Sequence, residues 1–373
     1  MSDSVRPSIP KKEQGATAKH RYVRRVAWAL DVALAQAMRR VSGGERRALD
    51  IVSDRYMIFS DLHRGARNGA DDFQRSERAY NAALAYYYKL GHTLVLLGDV
   101  EELWEERPEP VLEAYEHAIE LEARYHHEGR YIRLWGNHDD MWQYKDAVKS
   151  YLAPLYGSPP LRVHESLLLD IQDGDEKLGE LFLIHGHQGD LKADQWAWLA
   201  KLVIRYIWRP IQRLTDIMPT TPATSWNLTH KLNQAMYAWA EKKPRLVMMA
   251  GHTHEPAFKS QSLEAQIEDD LIELRRTSGD SPSPAQIEAE AELMAQLEWV
   301  RTQSRDKPKG EFGIDFAVPC YFNTGCSCYP DGDITGIEIV EGEIRLIRWP
   351  NEEEDPLPQT LARDDIREVL ASV

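Results

Sequence analysis

The chain has 373 residues, of which 43% are hydrophobic, and its formal net charge is −15. A chain of this length can form one large domain with additions or two smaller domains, around a sizeable core. The negative charge disfavours bulk attraction to nucleic acid, so we expect no nucleic-acid partner. No apolar run approaches the ~18 residues of a membrane span, and the N-terminus lacks the apolar core of a signal peptide. We therefore expect a cytoplasmic protein.

The N-terminal region is basic, because residues 1–50 hold 11 Lys and Arg against 5 Asp and Glu. We predict an N-terminal extension over this range, with an amphipathic helix at 19–41 whose apolar residues recur at helical spacing. Such a helix can lie on an anionic membrane surface, which would give peripheral contact with the inner membrane surface. It can equally dock on the acidic body of the chain or on a partner, and the sequence leaves these alternatives open.

From residue 56 onwards, short apolar runs alternate with helical patterns. Runs at 56–59, 93–97 and 131–135 are separated by helical stretches at about 72–90 and 109–128. This alternation predicts an α/β sheet with crossover helices.

Later apolar runs predict hairpins. The runs at 167–169 and 181–184 have no long helix between them, and those at 337–340 and 344–347 flank a short turn. Both pairs are typical of antiparallel strands.

Two inserts interrupt the main domain, which we place at 51–350. The first, at 191–245, is helical and rich in tryptophan, and the second, at 260–308, is helical and acidic. The acidic excess predicts a solvated face, and residues 351–373 are predicted to form an acidic C-terminal tail. An apolar stripe in the first insert either grips a ligand or packs helix against helix. Its members are Trp196, Leu199, Val203, Tyr206 and Ile207.

Three cysteines, Cys320, Cys326 and Cys328, lie near the C-terminus. An odd number in so long a chain does not indicate a disulfide framework, and C-x5-C-x-C is not a standard zinc spacing. We interpret them as reduced thiols, with a redox or metal role as the alternative.

Five apolar runs each end in residue types that bind metals. Taken singly, a D-x-H or G-D segment is common in proteins, but five such segments in order indicate one joint site. The C-terminal ends of strands in α/β sheets deliver side chains to a common crevice, and alternate residues of an extended segment point the same way. A preceding glycine lets the backbone approach a metal or phosphate closely. The segments are Asp61-x-His63, Gly98-Asp99, Gly136-Asn137-His138-Asp139, His185-Gly-His187 and Gly251-His252-x-His254.

The candidate metal ligands are carboxylates, imidazoles and one amide. Because no cysteine is among them, the site is not a structural zinc finger. Mixed nitrogen and oxygen ligands suit Mn²⁺, Fe²⁺ or Zn²⁺ better than Mg²⁺, and we expect Mn²⁺. Seven ligands are too many for one ion with open positions, but they suit two ions that share a carboxylate. The ligands are Asp61, His63, Asp99, Asn137, His185, His252 and His254.

These motifs resemble the calcineurin-like metallophosphoesterase superfamily over about residues 57–349. The resemblance implies an α/β fold, a four-layer αββα sandwich with helical inserts, and two divalent metal ions. Each ion would have three ligands of its own and one shared carboxylate. The implied ligands are Asp61, His63 and His254 for the first ion, Asn137, His185 and His252 for the second, and Asp99 for both.

Beside the ligands, His138 is the candidate catalytic residue. Because it follows Asn137, we expect its side chain to point towards the substrate, where it protonates the leaving oxygen or stabilises transition-state charge. A hydroxide between the two ions would attack phosphorus in line. Asp139 is the second catalytic candidate, predicted to orient His138 by a hydrogen bond, with a surface turn as the alternative.

Two further residues have open roles. Arg64 contacts a phosphate or forms a surface salt bridge. His187 supports the metal ligands or is an ordinary loop histidine.

Within the superfamily, three features resemble UDP-2,3-diacylglucosamine pyrophosphatases. They are the acidic-aromatic segment 98–104, the position of the insert 191–245, and the segment 321–325 before a terminal hairpin. The resemblance implies a phosphodiesterase or pyrophosphatase acting on a small phosphorylated substrate that is nucleotide- or lipid-linked. A phosphomonoesterase or serine/threonine protein phosphatase with the same metal site is the alternative, and a scaffold with a vestigial site is a third hypothesis.

Overall fold

The computed structural model describes residues 18–44, 47–69, 71–189, 222–278, 282–303, 318–351 and 356–373. The apolar stripe predicted between Trp196 and Ile207 lies outside these ranges. Within them, no helix combines the length and the hydropathy that a membrane crossing requires.

The strands alternate with helices along the chain, as the apolar runs predict. The strands are β1 (Arg47–Asp50), β2 (Tyr56–Phe59), β3 (Thr93–Leu96), β4 (Tyr131–Leu134), β5 (Val163–His164), β6 (Ser166–Asp173), β7 (Glu176–Ile184), β8 (Leu246–Ala250), β9 (Ala257–Phe258), β10 (Gln261–Ser262), β11 (Tyr321–Asn323), β12 (Ile334–Val340), β13 (Glu343–Trp349) and β14 (Gln359–Asp365). The helices are α1 (Ala18–Ser42), α2 (Glu77–Lys89), α3 (Pro108–Ala114), α4 (Glu116–His127), α5 (Lys145–Ala147), α6 (Ala153–Tyr156), α7 (Pro222–Ala240), α8 (Leu263–Ser278), α9 (Pro284–Gln303) and α10 (Ile366–Ala371). Shorter helical turns lie at Phe73–Arg75, Asp140–Gln143 and Val148–Leu152.

The strands form two mixed sheets. The first has the order β1-β6-β7-β8-β11-β9-β10 and the second the order β14-β13-β12-β2-β3-β4-β5. In the second sheet, β2, β3, β4 and β5 are parallel neighbours. The predicted hairpins are confirmed, because β6 pairs antiparallel with β7 and β12 pairs antiparallel with β13.

Three hydrophobic clusters define four layers. One cluster lies between the sheets and joins Ile58 and Val95 of the second sheet to Leu169 and Val247 of the first. A second cluster packs α2 and α4 on the outer face of the second sheet, and a third packs α1 and α7 on the outer face of the first. Side chains of a strand alternate between its two faces, so each sheet contributes to two clusters. The predicted αββα sandwich is confirmed.

The apolar stripe of helix α1 faces the interior of the protein. Val26, Leu30 and Leu34 are buried in the third cluster, where α1 packs against β6 and α7. The basic residues extend this docking, since Arg25 donates to the Gly189 carbonyl (2.8 Å) and Arg40 to the Ser166 carbonyl (2.6 Å). The helix therefore docks on the body of the chain, which was one of the alternatives. Membrane contact stays a prediction and would have to use the remaining outward face.

Two segments that were predicted to lie in the extension and the tail, residues 47–50 and 359–365, belong to the sheets. Residues 47–50 form β1, which pairs with β6, so the basic extension is not separate from the sandwich. The expected acidic tail is wrong for residues 359–371, because β14 pairs with β13 and α10 packs into the core between the sheets. Buried apolar residues in this short segment, such as Leu361 of β14 and Ile366 of α10, attach it to the core, which a count of its charges does not show.

Both inserts contribute to the core where the structure describes them. In the acidic insert, Leu263, Ile267 and Leu271 of α8 recur at helical spacing and are buried between the sheets, while its charged residues face solvent as predicted. In the Trp-rich insert, Trp239 is buried beside Phe182 of β7, with ring centroids 5.7 Å apart. This part of the insert therefore packs helix against sheet.

Candidate metal centre

The proposed ligands come from five strand ends that meet at one edge of the sandwich. Strands β2, β3 and β4 of the second sheet are followed by Asp61, Asp99 and Asn137, and β7 and β8 of the first sheet by His185 and His252. Because parallel neighbours end at the same edge of a sheet, residues far apart in the chain converge there.

The backbone at these strand ends turns sharply. Five of the proposed ligands have positive φ, which is uncommon outside glycine. Each such backbone conformation costs on the order of 1–3 kcal/mol and persists only where surrounding contacts hold it. Such contacts are present: Asp61 N donates to the Gly98 carbonyl (3.1 Å) and His63 N to the Asp99 carbonyl (3.0 Å). The φ angles are 53° at Asp61, 51° at His63, 51° at Asp99, 66° at His252 and 54° at His254.

Two glycines allow the close approach that the sequence predicts. A Cβ atom at Gly136 would overlap Asp99, and one at Gly251 would overlap Ser60 and Asp61. Any side chain at either position would displace a carboxylate of the centre.

Three ligand atoms surround the position predicted for the first ion. His254 Nε2 lies 3.3 Å from Asp61 Oδ1 and 3.2 Å from His63 Nε2. His63 Nε2 lies 3.9 Å from Asp61 Oδ1. All three residues form one group whose ligand atoms lie within 4.8 Å of one another.

A second group of the same kind consists of Asp99, His185 and His252. His185 Nε2 lies 3.0 Å from Asp99 Oδ2, and His63 Nε2 of the first group is 3.9 Å from the same oxygen. Asp99 thus lies between the two groups, as a bridging ligand would.

The donor set fits divalent ions, because buried ligand atoms here lack protein partners. Among the described residues, Asp61 Oδ1, Asn137 Oδ1 and His185 Nε2 are buried without a hydrogen bond. Leaving such atoms unpaired costs about 1–3 kcal/mol each, and two cations would satisfy them, one at Asp61 and one at Asn137 and His185.

The charges of the centre support the same conclusion. Burial opposes ionisation, but the neighbouring His254 and His185 hold the pKa of Asp61 well below its usual range. Burial likewise opposes ionisation of Asp99, and His185 and His138 lower its pKa. Both carboxylates are therefore anionic and available as ligands near neutral pH.

His138 is held beside the two groups by a residue that the sequence analysis did not identify. Its Nδ1 lies 2.5 Å from Glu102 Oε2, and the same carboxylate oxygen lies 3.2 Å from Nδ1 of His63. Trp104 stacks on the His138 ring, with centroids 4.2 Å apart and an interplanar angle of 14°. The His138 side chain is 24% exposed, so one edge of the imidazole remains open to a substrate. The acidic-aromatic segment 98–104 was the available signal for Glu102 and Trp104.

Asp139 does not orient His138, which corrects the prediction. It is fully buried, and its carboxylate accepts hydrogen bonds from Gly136 N (2.6 Å) and Val100 N (3.1 Å). It therefore ties the loop after β3 to the loop after β4. Burial, together with the negative charges of Glu101 and Asp99, raises the pKa of Asp139 to about 7.

Arg64 and His187 also have defined places. Arg64 is fully buried and paired with Glu122, so neither a phosphate contact nor a surface salt bridge describes it. His187 is buried beside His185, with ring centroids 5.4 Å apart. Burial and the charge of His185 keep the pKa of His187 below its usual value, which favours a neutral ring next to the centre.

Comparison with known proteins gives one family match. Residues 55–256, more than half of the chain, match the family model described as calcineurin-like phosphoesterase. No curated protein matches the chain. Among solved structures, the chain is similar to a conserved uncharacterised protein, a predicted phosphoesterase, from Streptococcus pneumoniae TIGR4. The identity is 10% and the TM-score 0.29, over 82% of this chain and 97% of the other. A TM-score of this size does not support any conclusion about function.

Proposed function

The chain belongs to the calcineurin-like phosphoesterase family and is a metal-dependent phosphoester hydrolase; on this premise, we propose that it uses two divalent metal ions to cleave a phosphodiester or pyrophosphate bond. The substrate proposed is a small molecule that is nucleotide- or lipid-linked. The ions proposed are Mn²⁺, with Fe²⁺ or Zn²⁺ as the alternatives that the same ligands accept.

The observation that carries the two-ion proposal is the pair of ligand groups joined by Asp99. Asp61, His63 and His254 would hold one ion, and Asn137, His185 and His252 the other. Divalent ions in such a pair neutralise charge on phosphoryl oxygens and make hydroxide available near neutral pH.

In this proposal, His138 acts on the leaving group. Glu102 accepts from Nδ1 of His138, which leaves Nε2 as the nitrogen that carries a proton towards the substrate. The ring is fixed by the stack on Trp104, so the proton is held at a defined place. A general acid positioned in this way contributes ~10²–10⁴-fold to the rate.

The substrate class is supported by the segment 98–104, which resembles UDP-2,3-diacylglucosamine pyrophosphatases. In this chain, the segment supplies both Glu102 and Trp104 to the surroundings of His138. An aromatic ring beside the candidate general acid suits a substrate with a sugar or base on the leaving side.

The test is a substrate panel after chelation. The purified protein is stripped of metal and assayed with Mn²⁺, Fe²⁺ or Zn²⁺ on bis-p-nitrophenyl phosphate, UDP-sugars, p-nitrophenyl phosphate and phosphopeptides. The proposal expects turnover of the diester and of pyrophosphate-linked substrates. Preference for the monoester or for phosphopeptides would replace it with the phosphatase alternative.

The residue assignment has its own test. Asp99→Asn is expected to abolish turnover and to reduce the number of bound ions. Full activity of Asp99→Asn with two ions bound would show that the assignment is wrong, whatever the substrate.

A further inference from the structure

Two of the three cysteines lie against each other on the loop that follows β11. Cys326 Sγ and Cys328 Sγ are 3.1 Å apart, and both residues are free thiols. Cys326 is buried and Cys328 is half-buried, so the pair is reachable through Cys328. Cys320 lies on the other side of β11, fully buried, with its sulfur 4.0 Å from Ser260 Oγ.

The loop that carries this pair is attached to the metal centre. Ser327, between the two cysteines, donates its N–H to the carbonyl of Asp61 at 3.2 Å. Cys326 Sγ lies 3.8 Å from the same carbonyl. The two sulfurs and the imidazole of His254 form a group whose ligand-type atoms lie within 4.8 Å of one another.

Two chemistries are open to a pair of neighbouring cysteines, a shared zinc ion and a disulfide. Two thiolates on one tetrahedral zinc ion, at ~2.3 Å each, are about 3.8 Å apart. A disulfide requires about 2.05 Å. The observed 3.1 Å lies between the two, ~0.7 Å below the zinc geometry and ~1 Å above the disulfide. A structural zinc ion takes four protein ligands, whereas the group that the described residues form here adds only His254, which is already proposed for the first ion. The ligand count therefore disfavours a separate zinc ion.

We propose that Cys326 and Cys328 form a reversible disulfide that controls the adjacent metal centre. This inference rests on the proposed function for its effect on turnover, but not for the formation of the bond. The remaining interpretation, ordinary reduced thiols, is what the test must exclude.

The reaction balances as a thiol–disulfide exchange with a low-molecular-weight disulfide. The Cys328 thiolate attacks one sulfur of the small disulfide, and a small thiol leaves. Cys326 then attacks the Cys328 sulfur of the mixed disulfide, and the second small thiol leaves. Two electrons pass from the cysteine pair to the small disulfide, and the two cysteine protons end on the small thiols.

Closing the bond would move the loop rather than Cys326. The backbone of Cys326 is held on both sides by Thr335, with Cys326 N to Thr335 Oγ1 at 3.1 Å and Thr335 N to the Cys326 carbonyl at 2.9 Å. Cys328 must therefore approach, and Ser327 moves with it. The hydrogen bond from Ser327 to the Asp61 carbonyl is the contact that transmits this movement to a proposed ligand.

The experiment exposes the full-length protein to oxidised glutathione and measures mass, free thiols and Mn²⁺ affinity. We expect the wild type to lose two thiols and the mass of two hydrogen atoms, and its Mn²⁺ affinity and kcat/KM to fall ~10–100-fold, the size typical of a disturbed metal support. Dithiothreitol is expected to restore both. Cys328→Ser is the test variant, since this half-buried position tolerates serine, and Cys320→Ala is the matched control.

Each outcome decides the inference. Cys320→Ala should respond like the wild type, and Cys328→Ser should keep its Mn²⁺ affinity. A stable glutathione adduct in place of an internal bond, or equal loss of affinity in Cys328→Ser, would overturn the inference. A disulfide that forms but leaves Mn²⁺ affinity unchanged would contradict the proposal that it controls the metal centre. Reduced protein without turnover on any phosphoester would contradict the proposed function alone, because mass and affinity still report on the disulfide.

Discussion

Two fully buried carboxylates, those of Asp61 and Glu122, lie in very different surroundings. The Glu122 cluster consists of Glu122, Arg64, Tyr80, Tyr131 and Tyr156. Oε1 of Glu122 accepts hydrogen bonds from Arg64 and from Tyr80 (2.9 Å), and Oε2 accepts from Tyr131 (3.1 Å) and Tyr156 (2.5 Å). Every lone pair of this carboxylate has a donor.

The Asp61 cluster consists of Asp61, His63, His185 and His254. Asp61 Oδ2 accepts from His252 N at 2.8 Å, but Oδ1 has no hydrogen bond within the described part of the chain. Three imidazole nitrogens face Oδ1 at 3.3 to 3.9 Å instead.

The comparison shows how a structural charge differs from a ligand. A buried carboxylate that only stabilises a fold has its oxygens filled by protein donors, because an unfilled oxygen costs free energy. A carboxylate kept for a metal has an oxygen left open among other ligand atoms. His63 and Arg64 are adjacent in the chain, yet they serve these two opposite purposes.

The largest effect is expected from Asp61→Asn, which removes charge from the open oxygen. Activity is expected to fall by more than ~10³-fold, beyond the 10²–10³-fold of a lost transition-state donor, with loss of at least one bound ion. Metal content by mass spectrometry and kcat/KM on the best substrate give the measurement. If the variant retained both ions, Asp61 would be a structural carboxylate like Glu122 and not a metal ligand.

His138→Ala is expected to separate chemistry from metal binding. The variant loses the candidate general acid, so kcat should fall ~10²–10⁴-fold while the metal content stays that of the wild type. A substrate with a good leaving group, such as a p-nitrophenyl ester, should lose less activity than one with an alkoxide leaving group. An equal loss on both would argue against proton transfer by His138.

Glu102→Gln is expected to have an intermediate effect, since Glu102 supports both His63 and His138. Loss of an outer support of this kind costs ~10–100-fold. Since Glu102 Oε2 contacts Nδ1 of both histidines, kcat/KM and Mn²⁺ affinity should both fall in the variant, whereas His138→Ala should leave the metal content unchanged. Unchanged kcat/KM and Mn²⁺ affinity would mean that Glu102 only packs.

Metal affinity is expected to depend on pH through the Asp61 cluster. Burial disfavours a charged imidazole, but the hydrogen bond with Glu102 and the charge of Asp99 raise the pKa of His63 to about 9 in the metal-free protein. Below that pH a proton competes with the ion, so Mn²⁺ affinity should rise about tenfold per pH unit for each proton displaced. Calorimetry from about pH 6.5 to about pH 8.5, in buffers of different ionisation enthalpy, measures the released protons. A flat affinity with no proton release would contradict this.

Glu122→Gln is the matched control for Asp61→Asn and should change activity least, by less than about threefold. Burial opposes ionisation of Glu122, but the charges of Arg64 and Arg133 keep its pKa below the usual value. The neutral variant removes the closest negative charge from buried Arg64 and leaves only Glu101, at 3.9 Å, so the free energy of unfolding should fall by ~3–5 kcal/mol. Urea unfolding and metal content provide the measurements. A variant that loses ions without losing stability would reverse the distinction between the two clusters.

Much of the centre could be predicted from the sequence, because its signals are local. An apolar run that ends in Asp61-x-His63 or Gly251-His252-x-His254 fixes a strand end and the shared direction of two side chains. The α/β class and the hairpins followed from the same periodicity. These features depend on residues only a few positions apart.

The tertiary structure alone decided which partner each buried polar group has. Glu102 rather than Asp139 holds His138, because the loop after β3 folds over the loop after β4 and places the two side chains together. Arg64 meets Glu122, 58 residues further along the chain, and β14 completes a sheet where composition predicted a tail. The spacing of ligands is a property of one segment, whereas the contact of two distant segments depends on how the whole core packs.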